Sequence, residues 1–211
     1  MRALILLGGD GPDPAWLREQ AGLADYIIAA DRGALYALEA GIVPRELLGD
    51  MDSLPGEALA RLRQLGVPTE RFPAQKDDTD GMLAVERALD LGAESLILAG
   101  GFGGRLDHAM ANVHLLVHAL RRGVSAALMD GRQSVWVTDS VLELRGTPGD
   151  ILSLLPLGEV WIRSLSGLFY PLADAPLPLD RALGISNVFT APRARIEVAR
   201  GIVAAYHLRQ D

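Results

Sequence analysis

Over the first 130 residues, short apolar runs at 3–7, 26–30, 47–49, 95–99 and 125–129 alternate with longer amphipathic segments. Runs of that length without internal alternation read as strands buried on both faces. Between them, the segment 55–65 brings Ala58, Leu59, Leu62 and Leu65 to one side at helical spacing, and 81–91 and 109–121 repeat the pattern. Such alternation predicts a parallel sheet covered by helices on both faces. From Gly131 onward the pattern changes. Strand-length runs at 134–137, 151–155, 160–162, 195–198 and 202–208 are separated by Gly, Pro, Asp or Ser, which predicts antiparallel β structure.

The expected architecture is an N-terminal parallel-sheet α/β domain over 1–132, followed without a flexible linker by an antiparallel β-sandwich domain over 133–211. The second part is small for a self-sufficient core, so packing against the first part or against a second subunit is expected. The segment 171–178 holds three prolines and predicts a rigid loop between strands.

Composition narrows the class. With 49% hydrophobic and 22% charged residues, the chain of 211 residues is globular rather than disordered or fibrous. Cysteine is absent, which excludes disulfides, thiolate metal sites and a cysteine nucleophile. No run approaches the ~18 apolar residues of a membrane span, and a cytoplasmic protein without membrane association is expected. A net charge of -7 disfavours nucleic acid and suits a cationic substrate.

The candidate chemistry lies in three aspartate clusters, each expected to follow directly on a stretch that reads as a buried strand: Gly49-Asp50-Met51-Asp52-Ser53, Lys76-Asp77-Asp78-Thr79-Asp80 and Gly103-Gly104-Arg105-Leu106-Asp107-His108. Carboxylates so dense repel one another and stay ionised together only with a cation between them. Mg²⁺ takes oxygen ligands and holds substrate phosphates with one or two protein carboxylates. In an open parallel sheet, ligands bind beyond the carboxyl ends of the strands, where all three clusters fall. An extended chain would turn Asp50 and Asp52 to the same side; the bland alternative is a turn with an Asp cap for the helix that follows. In the second cluster one residue is expected to cap the next helix, which leaves carboxylates over for metal or substrate. Lys76 is the only lysine among 20 basic residues and suits a phosphate. Gly100, Gly101, Gly103 and Gly104 form a turn where backbone N–H groups can approach phosphate, although neither a Walker A motif nor the G-x-G-x-x-G fingerprint is present. His114 and His118 are four apart, but no glutamate completes a zinc motif. Trp16, Trp136 and Trp161 read as packing residues, although one ring could stack on a heteroaromatic cation.

Six segments in order resemble the thiamine pyrophosphokinase family over nearly the whole chain: Ala30-Asp31-Arg32-Gly33-Ala34, the three aspartate clusters with Ala111-Asn112, Gly167-Leu168-Phe169-Tyr170-Pro171-Leu172, and Gly184-Ile185-Ser186-Asn187. The resemblance implies transfer of a diphosphate from ATP to the thiamine hydroxyl, with release of AMP and a need for Mg²⁺. It also implies a homodimer with active sites between subunits, the α/β domain binding ATP and Mg²⁺ and the β domain binding thiamine and dimerising. By the same resemblance Asp50 and Asp52 are Mg²⁺ ligands, with Asp80 as a third ligand, a base or a thiamine contact. Asp31, Arg32, Asp77, Thr79, Arg105, Asp107 and His108 fall to the nucleotide. Asp52, Asp80, Lys76 and Arg105 fall to catalysis, and Ser186 and Asn187 to thiamine. Arg32 stands where many relatives have glycine, and could contact ATP or face solvent. The segment 167–172 is expected to be mainly structural, with Tyr170 as a ring near the substrate. Two rivals remain at this level: a pyrophosphokinase for another alcohol such as a hydroxymethylpterin, and a non-catalytic nucleotide- or thiamine-binding regulator.

Overall fold

The computed structural model describes residues 1–73 and 78–210, and the chain divides into two compact units, Met1–Gly131 and Arg132–Asp211. In the first unit six strands, β1 (Arg2–Leu6), β2 (Tyr26–Ala30), β3 (Glu46–Gly49), β4 (Thr69–Arg71), β5 (Ser95–Ala99) and β6 (Ser125–Met129), lie in the order β6-β5-β1-β2-β3-β4. Every pairing among them is parallel. The continuous apolar runs follow from burial on both faces: Leu4, Ile5, Leu6, Ile28, Leu47, Leu48, Leu96 and Leu98 are almost wholly inaccessible. Each such side chain stabilises the fold by about 1.5–3 kcal/mol relative to exposure.

Five helices connect these strands: α1 (Pro14–Leu23), α2 (Gly33–Glu39), α3 (Gly56–Gln64), α4 (Asp80–Asp90) and α5 (Leu106–Arg121). The start of α1 is set by Asp13, whose carboxylate accepts the Trp16 N–H at 2.8 Å, with Pro14 in the first turn. In α4, Gly81, Ala84, Val85 and Ala88 form the buried face, and their spacing is the 3.6-residue period. The expected helix at 109–121 starts earlier, at Leu106, because Arg105 is its N-cap residue and α5 begins directly after the glycine turn. Among the described residues no helix is long and apolar enough to cross a membrane.

The second unit is a pair of antiparallel sheets with a common core. Strands β7 (Gln133–Thr138), β9 (Ile151–Pro156), β12 (Asn187–Val188) and β14 (Val203–Leu208) pair as β12-β9-β14-β7; β8 (Val141–Arg145), β10 (Val160–Ser166), β11 (Leu172–Leu177) and β13 (Arg193–Arg200) pair as β11-β10-β13-β8. Leu152, Leu154 and Ala205 of one sheet share a buried cluster with Ile162, Leu165 and Ile196 of the other. Strict alternation makes this work: in β13, Ala194, Ile196 and Val198 point inward, while Arg193 and Arg195 point out.

The segment 171–178 is not the loop that its prolines predict. It contains β11, paired antiparallel with β10 through Leu177–Val160, Pro176–Trp161 and Ala175–Ile162. Proline is tolerated because β11 is an edge strand, where a missing N–H breaks no second ladder. Three strands carry no usable apolar run: β8, whose Glu143 and Arg145 obscure Leu142 and Leu144, the two-residue β12, and the exposed β4.

Candidate active site

The candidate residues of the first unit that the structure describes lie in the loops and first helical turns that follow its parallel strands. The strand order reverses at β1, which has β2 on one side and β5 on the other. This is the switch point at which open α/β sheets bind ligands. Backbone pairing continues past both strand ends, because Gly9 N–H donates to the Gly100 carbonyl and Asp10 N–H to the Phe102 carbonyl, both at 2.7 Å. The Tyr36 hydroxyl donates to the Gly9 carbonyl. Gly103 adopts φ 70°, and a Cβ there would overlap the Asp10 carboxylate, so only glycine lets the two loops close on each other.

Asp31, just beyond β2, is the hub of the carboxylate group. Its own φ is 43°, a left-handed conformation that aspartate tolerates better than most residues. Its N–H donates to the Leu48 carbonyl at 2.9 Å, and its Oδ1 accepts the Met51 N–H at 3.0 Å. Gly49 has φ 138°, and a Cβ there would collide with this carboxylate. The Asp31 pKa is pushed up to about 7 by burial first, then by a hydrogen bond with Asp80, and further by the charges of Asp80 and Asp50; the Met51 N–H offsets part of the rise. Asp31, Asp50 and Asp80 therefore share one electrostatic environment.

Asp50 and Asp52 come together by a route other than strand alternation. Met51 has φ 66°, so the chain turns instead of staying extended, and Asp50 Oδ1 accepts the Asp52 N–H at 2.9 Å. The Asp52 pKa is raised, chiefly by a hydrogen bond with the Asp50 carboxyl and by its charge. Neither caps the next helix: the N-cap of α3 is Pro55, without a side-chain bond. In the second cluster the cap is Thr79, whose hydroxyl accepts the Met82 N–H at 3.2 Å, and Asp80 stands in the first turn of α4 with its carboxyl hydrogen-bonded to Asp31. Lys76 and Asp77 lie outside the described residues.

In the third cluster, Arg105 and Asp107 form a two-pronged ion pair, Nε to Oδ1 at 3.1 Å and Nη2 to Oδ2 at 2.6 Å, with both side chains largely exposed. Each partner stabilises the charge of the other: the Asp107 pKa is lowered chiefly by its bond to Arg105. Asp107 Oδ1 also accepts the His108 N–H at 3.0 Å. Asn112 Nδ2 donates to the Gly101 carbonyl at 2.9 Å and ties the glycine turn to α5. Arg32 is exposed at the start of α2, its stem beside Gly8: a Cβ on Gly8 would lie 3.1 Å from the Arg32 Cβ. His118 Nε2 faces Glu86 at 2.7 Å. Among the described residues, no three or more His, Asp or Glu side chains are arranged to hold a metal ion.

In the second unit, Ser186 has φ 58° and its N–H donates to Ser153 Oγ at 3.0 Å. Asn187 is buried. Its Oδ1 accepts the N–H groups of Tyr170 and Val188 at 2.9 and 3.0 Å, and its Nδ2 donates to the Tyr170 carbonyl at 2.7 Å. Sequence reasoning missed the loop after β1, with Asp10, and the role of Ser153. For the loop a signal was present: Gly8-Gly9-Asp10-Gly11 directly follows the first apolar run.

Comparison with known proteins identifies the family. Residues 18–128 match the family described as "Thiamin pyrophosphokinase, catalytic domain" and residues 140–203 the one described as "Thiamin pyrophosphokinase, vitamin B1 binding domain". The chain is 28% identical to the thiamine pyrophosphokinase of Bacillus subtilis (strain 168) over 187 residues, 83% of this chain and 84% of that one. Among solved structures, the B. subtilis thiamine pyrophosphokinase superposes with a TM-score of 0.88 at 25% identity over 100% of both chains. The Geobacillus thermodenitrificans thiamin pyrophosphokinase superposes with 0.84 at 28% identity, over 100% of this chain and 99% of that one. The yeast enzyme, at 16% identity and a TM-score of 0.82 over 98% and 86% of the two chains, shares the fold. Both parts of the chain match in order, and the chain belongs to the thiamine pyrophosphokinase family.

Proposed function

We propose that this chain is a thiamine diphosphokinase that transfers the terminal diphosphate of ATP to the thiamine hydroxyl and releases AMP. The observation that carries the reading is the convergence of Asp31, Asp50 and Asp80, where burial first, and then the Asp80 hydrogen bond and the charges of Asp80 and Asp50, raise the Asp31 pKa to about 7. A site so short of positive charge suits a divalent cation carrying phosphates. The donor set fits Mg²⁺, which needs oxygen ligands and only one or two carboxylates from the protein. Asp50 and Asp52, with Asp80 beside them, would hold it. When bound, Mg²⁺ neutralises charge on the phosphoryl oxygens.

The chain's own residues do the rest by position and charge. The hydroxyl oxygen of thiamine bonds to the β-phosphorus, the bridge to the α-phosphate opens, and AMP leaves with the bonding pair. The hydroxyl proton passes to a carboxylate, for which Asp80 is the candidate. Arg105, oriented by Asp107, offsets negative charge on the transferring group. Asp31, Arg32, Thr79 and His108 belong to the nucleotide side; Lys76 and Asp77 join it on family resemblance alone. Ser186 and Asn187 belong to the thiamine side, in the second unit. The match of residues 140–203 to a vitamin B1 binding domain favours thiamine over a pterin as acceptor. A homodimer is supported by the exposed Leu155, Leu179, Leu183 and Ile185 of the second unit, and a cytoplasmic location by the use of ATP.

The test is acceptor-dependent ATP consumption with Mg²⁺ present. Thiamine should stimulate it and a hydroxymethylpterin should not; equal stimulation by both, or by neither, would refute the assignment.

A further inference from the structure

Asp31, Asp50 and Asp80 stand at one end of three neighbouring elements, and a second polar contact joins the same three elements at their other end. Tyr26 opens β2, which Asp31 follows; Glu46 opens β3, which Asp50 follows; α4 carries Asp80 in its first turn and Arg87 in its last. Arg87 Nε donates to both carboxylate oxygens of Glu46 at 3.1 Å, and the Tyr26 hydroxyl donates to the same carboxylate. Each element thus contributes one residue to the contact at either end.

Among the described residues of the first unit, Glu46 is the only charged side chain that is buried. Stability alone does not account for it, because a buried ion pair recovers little more than its desolvation cost and apolar residues of similar volume often hold a core equally well. What such a pair adds is register. The apolar face of α4, made of Gly81, Ala84, Val85 and Ala88, is small and smooth, and packing of that kind leaves the helix free to slide along the sheet. A guanidinium bonded to a buried carboxylate fixes one axial position and one rotation instead. The Tyr26 hydroxyl extends the constraint to β2. Any slip at Arg87 is carried along the helix to Asp80.

We propose that Glu46 and Arg87, together with Tyr26, are positioning residues that set, from the far ends of β2, β3 and α4, where the Asp80 carboxylate stands relative to Asp31 and Asp50. The inference rests on the diphosphate-transfer reading above. It adds three residues that lie outside every aspartate cluster of the sequence and act through the register of the elements, not by contact with substrate.

Two readouts test it on the full chain: steady-state kinetics with ATP, Mg²⁺ and thiamine, and the rise in melting temperature produced by Mg²⁺ alone. Glu46→Gln and Arg87→Ala should lower kcat about tenfold, less than the ~10²-fold that a misplacement of ~1 Å costs, and leave both KM values within about twofold. In both variants the Mg²⁺-induced rise in melting temperature should shrink to about half. Arg87→Lys, which keeps a cation within reach of Glu46, should recover most of both losses. Tyr26→Phe removes a single hydroxyl and should lower kcat by about threefold; it decides the matter if the first two variants do not fold. Leu17→Ala opens a cavity in α1, an element with no part in either contact, and serves as the stability control. It should melt lower yet keep kcat and the Mg²⁺ response within about twofold. Wild-type kcat and Mg²⁺ response in Glu46→Gln and Arg87→Ala, or losses no larger than those of Leu17→Ala, would overturn the positioning role while leaving the functional reading intact. If the wild type responds to Mg²⁺ without thiamine-dependent turnover, the functional reading falls and the Mg²⁺ response of the variants alone decides the positioning role. A wild type with neither would sink both.

Discussion

Asp31, from the loop after β2, and Asp80, in the first turn of α4, share a hydrogen bond between their carboxyl groups, which together with burial pushes the Asp31 pKa up to about 7. The consequence for stability has a definite sign. In the unfolded chain Asp31 ionises near pH 4, whereas in the folded chain it does so near pH 7. Between these values the folded state binds more protons, and its stability falls as pH rises. The ligand-free protein should therefore lose melting temperature from this group between about pH 4 and pH 7. Asp31→Asn, which keeps a side chain tolerant of φ 43°, should flatten that portion of the profile and raise the melting temperature at pH 7.5 while turnover falls. A parallel decline in wild type and variant would remove Asp31 as the cause.

Gly49 is held by the same carboxylate. Gly49→Ala places a Cβ against Asp31 and strains a backbone at φ 138°. The conformation alone costs about 1–3 kcal/mol. Denaturant unfolding should show at least that loss, together with reduced turnover; a neutral effect on both would mean that the Asp31 carboxylate is not fixed against this glycine.

Arg105 separates stability from activity. Its ion pair with Asp107 is exposed on both sides, and such pairs stabilise by under about 1 kcal/mol. Arg105→Ala should leave melting almost unchanged and lower kcat/KM by about 10²-fold, the scale for removing a charge-stabilising donor. Arg105→Lys should recover little, since a lysine cannot reproduce the two-pronged geometry with Asp107. Equal turnover in all three proteins would remove Arg105 from the reaction centre.

Much of this fold is readable from residue patterns because its parallel strands are buried on both faces. The runs at 26–30, 95–99 and 125–129 coincide with β2, β5 and β6. β4 escaped because Thr69, Glu70 and Arg71 are all exposed and carry no apolar signal. β11 escaped because an edge strand accepts the prolines that would exclude a central one. For the site, the density of aspartates was legible but the way they meet was not. The turn at Met51 needs a left-handed residue that no propensity would place there, and the Asp31–Asp80 contact joins residues 49 positions apart in the chain. Asn187 could be picked out by family resemblance, while its grip on Tyr170 depends on a partner in the loop between β10 and β11 that spacing cannot reveal.

Removal of divalent cations bears directly on the carboxylate pairs. With chelator present, Asp31, Asp50, Asp52 and Asp80 lose the counter-charge proposed for them, and added Mg²⁺ should raise the melting temperature more at pH 7.5 than at pH 5, where Asp31 is protonated. A Mg²⁺ effect independent of pH, or none in the presence of ATP, would argue that these residues do not bind it.

The most direct measurement is the identity of the products. Purified protein given ATP, Mg²⁺ and thiamine should yield thiamine diphosphate and AMP in equal amounts, with label from the β-phosphate of ATP recovered in the thiamine product. Formation of ADP with thiamine monophosphate, or no thiamine-dependent product from folded protein, would contradict diphosphate transfer as the function of this chain.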